Sequence, residues 1–120
     1  MPAPLLRWSA VRILVAEPSQ EVRELLVATL QENGHETETW QGEETWPAVP
    51  FDLLVGEPAD ATVLALAHRI RTARPDLPII WVSVAPPSPH TRALDPAAHL
   101  VKPFSLSELN ATVASLSPGG

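Results

Sequence analysis

Two glutamates close two nearly identical phrases. Residues 13–18 read ILVAEP and residues 53–58 read LLVGEP. Each is an apolar run stopped by an acid and a proline, Glu17-Pro18 and Glu57-Pro58. Two carboxylates brought into one crevice need a cation nearby, because like charges at short range disfavour each other's ionised form. The chemistry open to this chain therefore turns on whether the two runs are neighbours.

The elements that must position these acids can be read from hydrophobic spacing. Five short runs have strand character: Val11 to Ala16, His35 to Trp40, Leu53 to Gly56, Pro78 to Ser83 and His99 to Val101. Three are nearly continuous Val, Ile and Leu, as expected of parallel strands buried on both faces. The second alternates and carries charge, which suits an edge. Helical spacing lies between them. Ser19 is placed to cap a helix with Val22, Leu25, Leu26, Thr29 and Leu30 on its buried face, and Gly34 is placed to end it. A second helix is predicted over Ala61 to Ala73, with Val63, Leu64, Leu66, Ala67 and Ile70 apolar. A third opens on Ser105 with Glu108 three residues on, the pattern of a capping box, and carries Leu106, Leu109, Val113 and Leu116. Two connections hold less. Gly42 to Pro50 has room for about one turn and Pro86 to Ala98 for about two, because prolines bound both. Alternating strands and helices imply a parallel sheet with helices on both faces, and ligands in such sheets sit at the carboxyl ends of the strands, where strand order reverses. Glu17 and Glu57 both lie at such ends.

Composition narrows the function. The chain has 120 residues, the length of one domain, and a net charge of −6. That balance argues against a nucleic-acid surface and against an anionic membrane. Without cysteine there is no disulfide framework and no thiolate metal site, which fits a cytoplasmic setting. No apolar run approaches the ~18 residues of a membrane span, and the first residues lack the charge pattern of a signal peptide. No glycine-rich phosphate loop is present.

With these features in order, the chain resembles the receiver domains of two-component response regulators, over about Arg12 to Leu116. RILVAEPS stands where that family has a first strand ending in an acidic pair, and QENGHE and QGEE match the first helix end and the segment after the second strand. FDLLVGEP matches the third strand, RPDLPIIWVS the fourth, and HLVKPFSLSEL the fifth with its Lys-Pro-Phe. The resemblance implies a flavodoxin-like (βα)5 fold: a doubly wound, five-stranded parallel sheet of order 2-1-3-4-5, here with shortened second and fourth helices. It also implies a site, and the site is altered. Glu57 stands at the phosphoacceptor position in place of aspartate. Glu17 and Pro18 stand at the acidic pair that helps hold Mg²⁺, and a prolyl side chain cannot ligate a metal. Ser83 and Lys102 fill the positions that contact the phosphoryl group, Lys102-Pro103 the expected cis peptide, and His99 the position of the switch aromatic. The segment after Glu57, PADATVL, lacks the usual turn and is about two residues short.

Glutamate is one methylene longer than aspartate, and a misplacement of ~1 Å can cost ~100-fold in rate. The expectation is therefore a degenerate receiver, not an enzyme, with no cofactor and doubtful Mg²⁺ binding. It acts through a protein partner, with self-association through the fourth helix, fifth strand and fifth helix as one route. Glu57 either mimics a phosphorylated side chain or only pairs with Lys102, and an exposed pair would contribute about 0–1 kcal/mol. Glu17 is either a residual metal ligand or an acid favoured at a helix start. Ser83 reads as a strand-end hydroxyl, and His99 as a surface histidine or a pH-sensitive switch. Two other readings stay open: a functional phosphoacceptor in a histidine-kinase phosphorelay, using Glu57 or Asp60, and a small-ligand module in the same crevice. Residues 1–10 are expected to form an N-terminal extension, 11–117 the domain and 118–120 a flexible tail. Trp81 is expected in the core, and Trp46 at an exposed partner contact.

Overall fold

The computed structural model describes residues 11–42, 46–47 and 50–116. The proposed N-terminal extension, with Trp8, and the proposed tail lie outside the described residues. Five strands, β1 (Arg12–Ala16), β2 (Glu36–Thr39), β3 (Leu53–Gly56), β4 (Ile79–Ser83) and β5 (Ala98–Val101), form one parallel sheet of order β2-β1-β3-β4-β5. The apolar runs form its centre: β3 and β4 are buried along their whole length. The charged, alternating β2 is an edge, as its pattern requires.

Helix α1 (Gln20–Glu32) starts where Ser19 accepts the Val22 N–H, and the chain leaves it through Gly34 at φ +88°. Its buried stripe is narrower than its apolar spacing suggests. Leu26, Thr29 and Leu30 are buried, but Leu25 is 51% exposed. Successive helical residues turn by about 100°, so a stripe centred on Leu26 and Leu30 leaves Leu25 at its edge. Helix α2 (Ala61–Ala73) is capped by Asp60, and Val63, Leu66, Ala67 and Ile70 face the core. The proline-bounded fourth connection holds a single turn, α3 (Pro89–Arg92), half of what its length allowed. Its Ser88 N-cap forms a full capping box with Thr91, a pairing hidden by the usual Glu or Gln at that position. Helix α4 (Leu106–Ser115) forms the half of its predicted box in which Ser105 accepts the Glu108 N–H. Leu109 and Val113 are buried, while Leu106 in the first turn is 38% exposed. Between β2 and β3, residues 43–45 and 48–49 lie outside the described residues, and the described ones are not helical.

Side chains alternate across the sheet and build two cores. Ile13, Val15, Leu53, Val55, Ile80, Val82 and Leu100 pack with Leu26, Leu30, Leu109 and Val113, under α1 and α4. On the other face Leu14, Ala16, Leu54, Ile79 and Trp81 pack with α2, Trp40, Phe51, Leu77 and Leu94. Trp81 is fully buried, and its indole N–H donates to the Thr91 carbonyl at 3.2 Å.

Candidate functional site

The register of β1 and β3 brings the two glutamates together. Ala16 pairs with Gly56, and the ladder continues as Glu57 N–H donates to Ala16 O at 3.1 Å. The next residue of each strand is therefore a neighbour of the other: Glu17 beside Glu57. Gly56 is also needed for close approach. A Cβ there would meet Val63 Cγ1 at 3.0 Å and the Ala16 carbonyl at 3.4 Å. A side chain there would press on α2 through Val63, so the glycine of LLVGEP lets that helix lie close to the strand.

The two acid-proline pairs produce the same local geometry. Glu17 Oε2 accepts the N–H of Ser19 at 3.0 Å, and Glu57 Oε2 accepts the N–H of Ala59 at 3.1 Å. Proline has no N–H, so the first backbone donor after each glutamate is two residues on. Each carboxylate then turns its other oxygen to one cation. Lys102 Nζ donates to Glu17 Oε1 at 2.8 Å and to Glu57 Oε1 at 3.0 Å. Lys102 is placed by β5, whose ladder with β4 continues as Lys102 N–H donates to Ser83 O at 2.7 Å. The Lys102-Pro103 peptide is cis, as the resemblance implied.

These ion pairs are not exposed, which corrects the expectation of a weak surface pair. The carboxylate side chains are 1% and 8% exposed, and that of Lys102 is 16% exposed. Burial alone pushes the Lys102 ammonium pKa down. Its hydrogen bonds to Glu17 and Glu57 and their negative charges outweigh that, and hold it above the ordinary lysine value. Arg23, a residue the spacing argument passed over, holds the chain at the end of β1: its Nη1 donates to the Glu17 carbonyl at 2.9 Å.

The other predicted positions divide. Ser83 is 1% exposed, and its Oγ accepts the Ala85 N–H at 3.2 Å in a turn at the end of β4. His99 is half-buried at the end of the sheet. It pairs with Trp81 across the sheet, and its Nε2 lies 2.9 Å from the Ala85 carbonyl. A carbonyl only accepts, so Nε2 carries the proton. Pro18 is exposed and lines a small cavity with Arg23, Trp40 and Asp60. Asp60 is occupied as a cap, its Oδ1 accepting from the N–H groups of Thr62 and Val63 and from the Thr62 hydroxyl. Trp46 is 39% exposed, but Arg69 lies over its ring at 5.5 Å and Phe51 sits 6.1 Å away. Among the described residues no group of three or more His, Cys, Asp or Glu side chains could hold a metal ion, and no helix is long and apolar enough to cross a membrane.

No protein-family model matches the chain. Response regulator MprA of Mycolicibacterium vanbaalenii is 33% identical over 88% of the chain, and the match covers 50% of that protein. The chain thus spans about half the length of the curated relative it matches. Among solved structures, the response regulator TrrA of Thermotoga maritima, in complex with Mg²⁺–BeF, is 31% identical with a TM-score of 0.74, covering 88% of this chain and 97% of that one. The HemR receiver domain of Leptospira biflexa is 25% identical with a TM-score of 0.75, over 91% and 98% of the two chains. CheY4 of Vibrio cholerae, at 24% identity and a TM-score of 0.78 over 89% and 98%, shares the fold. The strand order, the carboxylates at the ends of β1 and β3, the lysine after β5 and an identity above 30% across nearly the whole of a solved relative lead to one conclusion: the chain belongs to the receiver domains of response regulators.

Proposed function

We propose that this receiver signals through protein contacts in a fixed state, without Mg²⁺-dependent phosphorylation. The observation that carries the reading is the Lys102 ammonium held between Glu17 and Glu57. Both carboxylates are already spent, one oxygen on Lys102 and one on a backbone N–H. Pro18 adds no ligand. This donor set does not fit Mg²⁺, which demands near-ideal octahedral geometry and relies on a few free carboxylates. A glutamate held by a lysine is also poorly placed to attack in line. In this reading Glu57 is the partner of Lys102 and not a stand-in for a phosphoryl group, and the domain is a binding module rather than a catalyst.

The pair also has a structural role. Breaking a buried ion pair by removing one partner costs about 3–5 kcal/mol, because it strands a buried charge. The partner is a protein, a signalling or effector domain, and the face formed by α3, β5 and α4 is the surface for it or for a second copy. A single turn at α3 gives that face a fixed shape.

The test is direct. Acetyl phosphate with Mg²⁺ is expected to leave the intact mass and tryptophan fluorescence of the chain unchanged. A mass gain of one phosphoryl group, mapped to Glu57 or Asp60, would overturn the reading in favour of a working phosphoacceptor. The double substitution Pro18→Asp with Glu57→Asp is the converse arm, and is expected to bring Mg²⁺-dependent fluorescence change where the native chain has none.

A further inference from the structure

Between β2 and β3 the chain brings Trp46 against the outer side of α2. There a surface groove of about 410 Å³ is lined by Trp46, His68, Arg69, Thr72 and Ala73. Trp46 is 39% exposed, and the Arg69 guanidinium lies over its ring at 5.5 Å. Among the described residues the groove carries the charge of Arg69 and no acid, and α2 has no Asp or Glu along its length. An apolar groove with an aromatic and basic rim fits an apolar side chain flanked by carboxylates.

The chain carries such a surface itself. On α1, Glu21, Leu25, Ala28 and Glu32 are all exposed and follow one another at spacings of four, three and four residues. That spacing sets them in one stripe along the helix. Leu25, 51% exposed, lies within the stripe, and an acid closes each end. Glu24 is exposed beside Leu25. The one base of α1, Arg23, is turned to the Glu17 carbonyl. Within one chain the stripe cannot reach the groove, because α1 covers one face of the sheet and α2 the other. Between two copies it can.

We infer that the Trp46 groove of one copy takes the α1 stripe of a second copy, with Leu25 in the groove and the neighbouring glutamates against Arg69. Charge selects the pairing. Two α1 stripes face to face would set carboxylates against carboxylates, and two grooves would set Arg69 against Arg69. A stripe on a groove pairs opposite charges and covers Leu25 and Trp46 together. The contact is therefore heterologous. Each copy offers a groove on one side of its sheet and a stripe on the other, so copies stack head to tail and do not close as a twofold dimer. The inference uses neither α3 nor β5, and it does not rest on whether Glu57 is phosphorylated.

Sedimentation equilibrium of the full chain reads this contact. One helix stripe on one groove is a small interface, for which a Kd of about 100 µM is expected. The average mass should rise as the concentration approaches about 1 mM, and should fall back toward the monomer in about 1 M NaCl, where charges more than about 3 Å apart are screened. Leu25→Lys spoils the stripe and Arg69→Glu spoils the groove. Both positions are exposed, so both variants keep the fold. Each alone is expected to stay monomeric where the native chain associates. Mixed in equal amounts they should form a one-to-one dimer and grow no further, because the intact stripe of Arg69→Glu meets the intact groove of Leu25→Lys. A native chain that stays monomeric at about 1 mM would overturn the proposal. So would either variant associating as the native chain does, a mixture that stays monomeric, or association unchanged by salt.

Discussion

The two faces of the sheet solve the same problem with different materials. Under α1 and α4 the fully buried core is aliphatic, with Ile13, Val15, Leu26, Leu30, Val55, Val82, Leu109 and Val113, and the half-buried Phe104 packs against its rim. Two full helices lie over these side chains. Among the described residues the other face has one full helix, α2, and a single turn, α3, and there the large aromatics gather: Trp40, Phe51 and Trp81. Where helix is short, indole and phenyl rings supply the buried area, since each aromatic buries about 150–250 Å². Arginines replace missing helical order as well. Arg71 Nε donates to Leu94 O at 3.0 Å, and its Nη1 to Pro75 O at 2.7 Å and Leu77 O at 2.9 Å. One side chain thus ties the end of α2 to the loops before β4 and β5. Where the described helix is short, aromatic volume and charged hydrogen bonds to loop carbonyls cover the sheet.

The largest test of this contrast is Trp81→Ala. It should destabilise the domain by about 3–5 kcal/mol in urea unfolding, because it removes a fully buried ring and leaves the Thr91 carbonyl unpaired. Leu109→Ala on the aliphatic face should cost less, about 2–4 kcal/mol, since two helices can settle into the smaller cavity. Equal losses would break the comparison. Next comes Arg71→Ala, expected to cost about 2–3 kcal/mol and to speed hydrogen exchange in residues 94–97 ahead of α1, because charged hydrogen bonds contribute more than neutral ones. A uniform change in exchange would mean that the arginine does not pin that loop.

The smallest effects are in pH, and they differ in sign. The folded-state pKa of Lys102 is raised, so its contribution is fully present below the ordinary value of 10.5 and is lost as pH climbs through the folded value. Lys102→Met should remove that alkaline limb from a plot of unfolding free energy against pH. His35, at the α1 corner, accepts the Val11 N–H on Nδ1 at 3.2 Å, and burial holds its pKa below 6.5. A proton there costs the fold more than the unfolded chain, so stability falls as pH drops from about 6.5 toward the lowered folded value. His35→Gln should flatten this acid limb and leave the alkaline one untouched.

Much of the fold could be read from order and spacing alone. Ser19, Ser105 and Gly34 marked helix ends correctly because caps and left-handed stops are local. The runs of Val, Ile and Leu marked the buried strands for a similar reason: burial on both faces writes itself into each residue. Leu25 and Leu106 were misplaced because periodicity shows which residues share a side of a helix but not how wide the covered stripe is. The half-buried His99 and the single turn at α3 also depended on what packed against them.

The site shows the same division. That ILVAEP and LLVGEP deliver carboxylates to strand ends was present in the letters, and so was a proline, whose side chain cannot ligate a metal, directly after Glu17. That proline also moves each glutamate's backbone partner two residues on was equally local. Only the tertiary structure decided that Lys102, 85 residues from Glu17 and 45 from Glu57, would bridge both acids out of water. It alone buried the Trp40 indole N–H without a hydrogen-bond partner among the described residues. Strand register and burial are properties of distant segments paired across a sheet, and no window of sequence contains them.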